Sequence, residues 1–237
     1  DSSSLYATVS KGFRAGGFPL SAADLASFTS FDNETSLNYE VGYKARRLDN
    51  RLAIDVSAYI INLEDQQLAA VIQVVLPCTT EPVPVATTTN AGKSSIKGAE
   101  ISTEWLVTNS LRLSLAGAYT DTEFDEYVDT NGVQHAGEPF RFVPEWNASL
   151  GAEYVFADFI DNFDLTLFAS YRYVDGFGQG YGVFADPEFE IDSYNIVDAS
   201  ASLSSGSWQL QLFVDNVADE YVEARAWNAF FFLPDGS

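Results

Sequence analysis

The chain has 237 residues, with 34 acidic and 12 basic side chains, a formal net charge of -22 and a pI of about 4.1. An aromatic content of 14% is too high for a disordered acidic chain, and a single Cys and a single His exclude an internal disulfide framework and a multi-His metal site. So acidic a chain also lacks the basic footprint that nucleic-acid binding requires.

Alternation with period 2 recurs along the chain, and helical periodicity is scarce. Nine strands are predicted, in chain order at residues 5–9, 37–43, 52–60, 101–107, 111–120, 146–154, 163–173, 197–203 and 208–214. Successive strand side chains point to opposite faces. In residues 111–120, Leu111, Leu113, Leu115, Gly117 and Tyr119 therefore share one face. Arg112, Ser114, Ala116, Ala118 and Thr120 share the other. The same pattern gives the rows Leu52, Ile54, Val56, Ala58 and Ile60; Leu165, Leu167, Ala169 and Tyr171; and Trp208, Leu210, Leu212 and Val214. These rows carry no charge, and aromatic residues mark their ends: Trp105, Tyr119, Trp146, Tyr154, Tyr171, Tyr173 and Trp208.

No run of about 18 apolar residues is present, so no transmembrane helix is expected. A β-barrel crosses a membrane without one. The most apolar run, residues 68–76, is interrupted by Gln73. The chain opens DSSSLYATVS, with no leader peptide, and reads as a mature chain or a piece of a longer one.

The connections alternate between long and short. Residues 47–50, 108–110, 157–162 and 204–206 are short; residues 14–33, 63–90, 125–141 and 176–191 are long. In an antiparallel up-and-down meander, every second connection lies at the same end. One end then carries tight turns and the other long loops, which is the pattern of a large transmembrane β-barrel. A soluble β-sandwich or closed barrel would turn the same rows toward a core. The loop alternation favours the membrane barrel.

Four segments carry a resemblance. Residues 5–17 read LYATVSKGFRAGG, residues 39–44 YEVGYK, residues 89–100 TNAGKSSIKGAE and residues 215–221 DNVADEY. In order and spacing they resemble the C-terminal barrel strands of TonB-dependent outer-membrane receptors, over nearly the whole chain. The resemblance implies a cell outer membrane location in a Gram-negative bacterium and energy-coupled uptake of a scarce nutrient. In the family, ligand binds at the extracellular mouth and TonB pulls on a plug domain. An iron–siderophore complex leads as substrate because it is the family's commonest class. Implied partners are outer-membrane lipid, lipopolysaccharide and TonB; no enzyme activity and no cofactor are implied. Family barrels have about 22 strands, with an N-terminal plug and a TonB box. Nine strands are too few, and the chain ends NAFFFLPDGS, inside an expected long loop. Residues 1–237 thus read as a partial C-terminal portion of the barrel, without the plug, the early strands and the last strand. The alternatives are a passive porin-like or structural outer-membrane barrel, and a soluble β-sandwich lectin or adhesin.

Motifs for chemistry fail on spacing. Residues 92–94 (GKS) suggest a phosphate loop, but Thr87 stands where its first glycine is needed. Residues 125–132 (DEYVDTNG) suggest a calcium loop, but Tyr127 occupies an acid position. His135 is the sole candidate base for a Ser–His–Asp site and has no nucleophile elbow nearby. It reads as an incidental exposed histidine or as a ligand contact. Cys78 reads as an isolated thiol or as the partner of a Cys outside this chain. Between Arg112 and Arg141 there is no Lys or Arg, yet Asp121, Glu123, Asp125, Glu126, Asp129 and Glu138 are present. Asp175, Asp186, Glu188, Glu190 and Asp192 cluster similarly. Such loops read as a lipopolysaccharide-facing surface neutralised by divalent cations, or as a mouth that disfavours anionic ligands. Aromatic residues in long loops supply further contact candidates: Phe18, Phe28 and Phe31 in the first loop, and Trp227 and Phe230 in the last segment.

Overall fold

The computed structural model describes residues 1–18, 30–75, 80–130, 132–178 and 190–223. The strands are β1 (Ser2–Arg14), β2 (Glu34–Arg47), β3 (Leu52–Glu64), β4 (Gln67–Val74), β5 (Val83–Asn90), β6 (Lys93–Leu106) and β7 (Leu111–Glu126). They continue with β8 (Trp146–Ile160), β9 (Phe163–Val174), β10 (Phe177–Gly178), β11 (Glu190–Ile191), β12 (Tyr194–Ser205) and β13 (Trp208–Val214). Nine of them form one antiparallel sheet in the order β1-β2-β3-β6-β7-β8-β9-β12-β13. The sheet is an up-and-down meander and is not closed. The nine sheet strands coincide with those predicted from alternation, and most run longer than predicted.

Register aligns the apolar rows. Tyr39 stands opposite Ile60, Val56 opposite Ile101, Leu115 opposite Leu150, Leu150 opposite Tyr171, Tyr171 opposite Val197 and Ala201 opposite Leu212. Directly paired residues share a face, so one apolar surface runs from β1 to β13. A slip of one residue would move a strand's whole row to the other side. This surface is uncovered: Leu5 is 81% exposed and Trp208 is 78% exposed. A soluble sandwich would have packed it against a second sheet. Trp105, Tyr154 and Trp208 stand near the short turns. Tyr119 and Trp146 stack near the long-loop end, with ring centroids 4.7 Å apart.

The short turns follow from local chemistry. Asp161 and Asn162 both take positive φ (46° and 64°), as a tight two-residue hairpin requires, and Asn and Asp tolerate that region better than most residues. Gly206, at φ 54°, serves the β12–β13 turn.

Two expected loops contain more order than the sequence suggested. Residues 63–90 hold the hairpin β4–β5, which pairs only with itself, and the fourth long connection holds the two-residue ladder β10–β11. The β4 segment QLAAVIQV is a nearly continuous apolar run, whose periodicity does not distinguish a strand from other buried structure.

Candidate functional site

The non-apolar face of the sheet is concave and encloses about 900 Å³. Its lining mixes polar and charged side chains with apolar ones such as Ile61, Ile96 and Ala118. The Tyr6 hydroxyl donates to Glu40 Oε1 at 2.7 Å, and Lys44 Nζ lies 2.6 Å from Asp55 Oδ2 and 5.6 Å from the centre of the Tyr6 ring. Arg172 and Tyr59 line the same concavity. Two rings lie flat across neighbouring strands because glycines receive them. A Cβ at Gly42 would overlap the Tyr6 ring, and one at Gly98 would overlap the Tyr59 ring. On β12, Asp198 Oδ1 accepts the Asn216 amide at 2.9 Å, tying the chain after β13 back to the sheet.

The long-loop end holds most of the molecule's buried groups, and its loops are joined to one another. Gln67 is the first junction. It is buried, and its Nε2 donates to Ala15 O at 3.0 Å and Asp32 O at 3.1 Å. Its backbone N–H donates to Glu34 Oε2 at 2.7 Å. Asn90 reinforces it: Oδ1 accepts the Asp32 amide, while Nδ2 donates to Asp32 O and Asp65 O. The first long loop is thus held by the base of the β4–β5 hairpin. The second junction is apolar. Phe124, Tyr127 and Ala91 form a buried cluster, flanked by Leu68 and Phe140, so the same hairpin base also packs on the β7–β8 loop. A third junction joins that loop to the next one: Phe142 N donates to Gly178 O, and the Phe142 and Phe177 rings lie 6.3 Å apart.

The β7–β8 loop folds onto its own histidine. The His135 amide donates to Tyr127 O, and the Gly137 amide donates to Phe124 O, with Gly137 at φ 85°. His135 Nδ1 is 2.9 Å from Glu138 Oε2, and Nε2 is 3.5 Å from Asp129 Oδ2. The other Asp129 oxygen accepts the Val133 amide at 2.8 Å. Burial holds the Tyr127 hydroxyl above its ordinary pKa, and Asp129 adds to the effect.

The residues named from sequence meet different fates. Phe18 is 65% exposed at the long-loop end. Phe31 is half-buried; its backbone pairs with Gly17 through two hydrogen bonds, and its ring lies close over that glycine. His135 is only 8% exposed, which corrects its reading as an exposed histidine. The loop turns back on itself and packs the imidazole beside the Tyr127 ring, 5.2 Å between centroids. Phe28, Cys78, Trp227 and Phe230 lie outside the described residues. Several acids of the β7–β8 loop are engaged internally: Asp129 and Glu138 with His135, and Glu126 with Lys93 at 3.2 Å. Among the described residues, no group of three or more His, Cys, Asp or Glu side chains is arranged to hold a metal ion. Sequence reasoning missed Gln67, Asn90 and the Phe124–Tyr127–Phe140 cluster. One signal was available: Phe124 has the parity of the polar face, so its ring cannot belong to the apolar row.

Comparisons with known proteins agree with this architecture. A family model described as TonB dependent receptor-like, beta-barrel, matches residues 1–217. The metal-pseudopaline receptor CntO of Pseudomonas aeruginosa is 29% identical over 233 residues, covering 97% of this chain and 29% of that protein. The ferric yersiniabactin uptake receptor FyuA of Yersinia pestis superposes with a TM-score of 0.70 at 19% identity, covering 92% of this chain and 30% of that one. The ferric preacinetobactin receptor BauA of Acinetobacter baumannii gives 0.66 at 20% identity, covering 92% of this chain and 30% of that one. The chain thus spans less than a third of the length of these relatives. With nine antiparallel strands in meander order, an uncovered apolar face and a family match over most of its length, the chain belongs to the TonB-dependent receptor β-barrel family.

Proposed function

We propose that residues 1–237 form a C-terminal portion of the barrel wall of an outer-membrane receptor in a Gram-negative bacterium. The receptor takes up a chelated metal with TonB-derived energy, and an iron–siderophore complex is the leading substrate. The observation that carries this reading is the family match over residues 1–217. The relatives' names support the substrate class: metal-pseudopaline, ferric yersiniabactin and ferric preacinetobactin each pair a metal with a second molecule. An open sheet with an exposed apolar face needs further strands to close in lipid, because unpaired edges are not tolerated there. Plug, TonB contact and remaining strands are assigned to parts of the receptor beyond this chain.

In this reading the long-loop end faces outward. Phe18, Phe28, Phe31, Trp227 and Phe230 are the aromatic contacts offered to ligand at the mouth, and His135 acts from within the wall of that mouth. The loop acids not engaged with His135 or Lys93, Asp121, Glu123 and Asp125 among them, are offered to lipopolysaccharide and its divalent cations, with exclusion of anionic ligands from the mouth as the second reading. The receptor has no catalytic role.

The test is uptake of radiolabelled iron, supplied as a panel of ferric chelates, by iron-starved cells with and without the receptor and with and without TonB. Saturable uptake of one chelate that is lost in both deletions is expected. Uptake that rises linearly with concentration and ignores TonB would overturn the proposal in favour of a passive pore. TonB-dependent uptake of a different metal chelate, with no ferric chelate taken up, would keep the transport reading and remove iron.

A further inference from the structure

We infer that Arg47 and Tyr43, at the short-turn end of the apolar face, form a binding site for the phosphate of an anionic glycerophospholipid.

Register sets the position. Arg47 shares a face with Tyr39, Val41 and Tyr43, because residues two apart on a strand point the same way. It stands opposite Leu52, Leu52 stands opposite Trp105, and Trp105 opposite Leu113. Arg47 is the charged member of this rung, and it ends β2 beside the short β2–β3 turn. The inference rests on the outer-membrane reading above, which puts this turn at the inner leaflet, level with lipid headgroups and beside the interfacial ring of Trp105.

The side chain is fastened to the face. A long cationic side chain at a membrane edge ordinarily keeps its head in water. Here Nη1 donates to Ser2 O at 2.7 Å and to Arg46 O at 3.2 Å, and Nη2 donates to the Tyr43 hydroxyl oxygen at 2.9 Å. Ala45, between Tyr43 and Arg47 on the same face, is only 5% exposed, consistent with two side chains that meet above it. All three acceptors are neutral. The Asp49 amide lies 3.3 Å from Asp1 Oδ1, and among the described residues no carboxylate is paired with Arg47.

An unpaired cation at the edge of hydrocarbon is costly, and the anion at hand at that depth is lipid phosphate. The donors match it. A guanidinium carries five N–H groups, of which three are engaged here. Two N–H groups remain, and the Tyr43 hydroxyl, an acceptor in this contact, keeps its own O–H to donate. Arginine suits phosphate because its planar fork offers parallel N–H bonds. The corner from Arg46 to Arg51 holds three arginines against Asp49, a locally positive site in a chain of net charge -22. Leu52 and Trp105 on the same rung favour an anion that carries acyl chains over a free phosphate ion.

The test titrates the delipidated receptor carrying this chain, in neutral detergent, with phosphatidylglycerol or phosphatidylcholine, and counts bound lipids by native mass spectrometry. The native receptor is expected to hold one phosphatidylglycerol about tenfold more tightly than Arg47→Gln does, the effect of one charge-assisted contact. Arg47→Lys should recover part of that affinity. Tyr43→Phe, which keeps the arginine, should lose part of it, and this variant serves if Arg47→Gln does not fold. Unchanged phosphatidylglycerol affinity in Arg47→Gln, or in Tyr43→Phe where it stands in, would overturn the site. Displacement of the lipid by inorganic phosphate would overturn the lipid assignment, and equally tight phosphatidylcholine would overturn the anionic preference. Flotation with phosphatidylcholine vesicles reads the membrane assignment separately. A receptor that floats but shows no Arg47-dependent binding loses the site alone; one that does not float loses both.

Discussion

Gln67→Ala should release the first long loop while leaving the sheet intact. The Gln67 amide has two hydrogens and faces three carbonyl oxygens at 3.0, 3.1 and 3.4 Å. The longest lies outside the normal range, so two hydrogen bonds, to Ala15 and Asp32, are counted. Each contributes about 1 kcal/mol net; Asp32 O keeps the Asn90 Nδ2 donor after truncation, and Ala15 O is exposed enough to turn to water. The sum is about 2 kcal/mol for docking of the loop base, equivalent to about a 30-fold increase in its open population. Hydrogen exchange reads this at the Gly17 and Phe31 amides, which bond each other's carbonyls across the loop base. Peptides from β8 and β9, distant in the sheet, are the internal control and should not change. Gln67→Glu should release the loop at least as far, because an ionised carboxylate offers no donor to those carbonyls. Unchanged exchange at Gly17 and Phe31 in Gln67→Ala would refute the assignment of this junction. Equal loss of protection in β8 and β9 would show a global defect instead.

Other outcomes follow from the same structure. Gly98→Val forces a side chain into the Tyr59 ring and should cost about 1–3 kcal/mol, read as a lower urea midpoint in micelles; Tyr59→Ala in the same chain should recover part of it. Leu150→Arg places a charge on the apolar face and should cost about 2–4 kcal/mol, whereas Ser149→Arg on the concave face should fold and insert normally. The raised Tyr127 pKa means the folded loop favours the neutral phenol. Its contribution is complete below about pH 10 and is lost as the pH climbs through the higher folded value, so Tyr127→Phe should flatten the alkaline loss of loop protection. Replacing Asp121, Glu123 and Asp125 by their amides should raise the on-rate of an anionic ferric chelate at low salt and leave it nearly unchanged at high salt; a salt-independent effect would argue against an electrostatic mouth.

How far the sequence reached depended on the range of the interactions concerned. The rows from Leu111 to Tyr119 and from Trp208 to Val214 were legible because facing along a strand is a property of adjacent residues. The alternation of long and short connections was legible for the same reason, and with it the end of the sheet at which a binding mouth would lie. His135 was misread as exposed because its burial depends on a loop that turns back from Glu138 to Phe124. The β4–β5 hairpin was hidden in a run whose apolar residues do not alternate.

The sequence by itself determined the nine strands of the main sheet, the two faces of each and the long-loop end. Period-2 patterning and turn chemistry act within a few residues, and no partner is needed to read them. Only the tertiary structure decided how the rows join, because register is a relation between strands. It alone placed Gln67 and Asn90 at the loop junction, since their partners lie up to 58 residues away. It alone set His135 between Asp129 and Glu138. A polar side chain in a loop can satisfy itself with water, a neighbour or a distant carbonyl, and burial at the packed long-loop end selects among these.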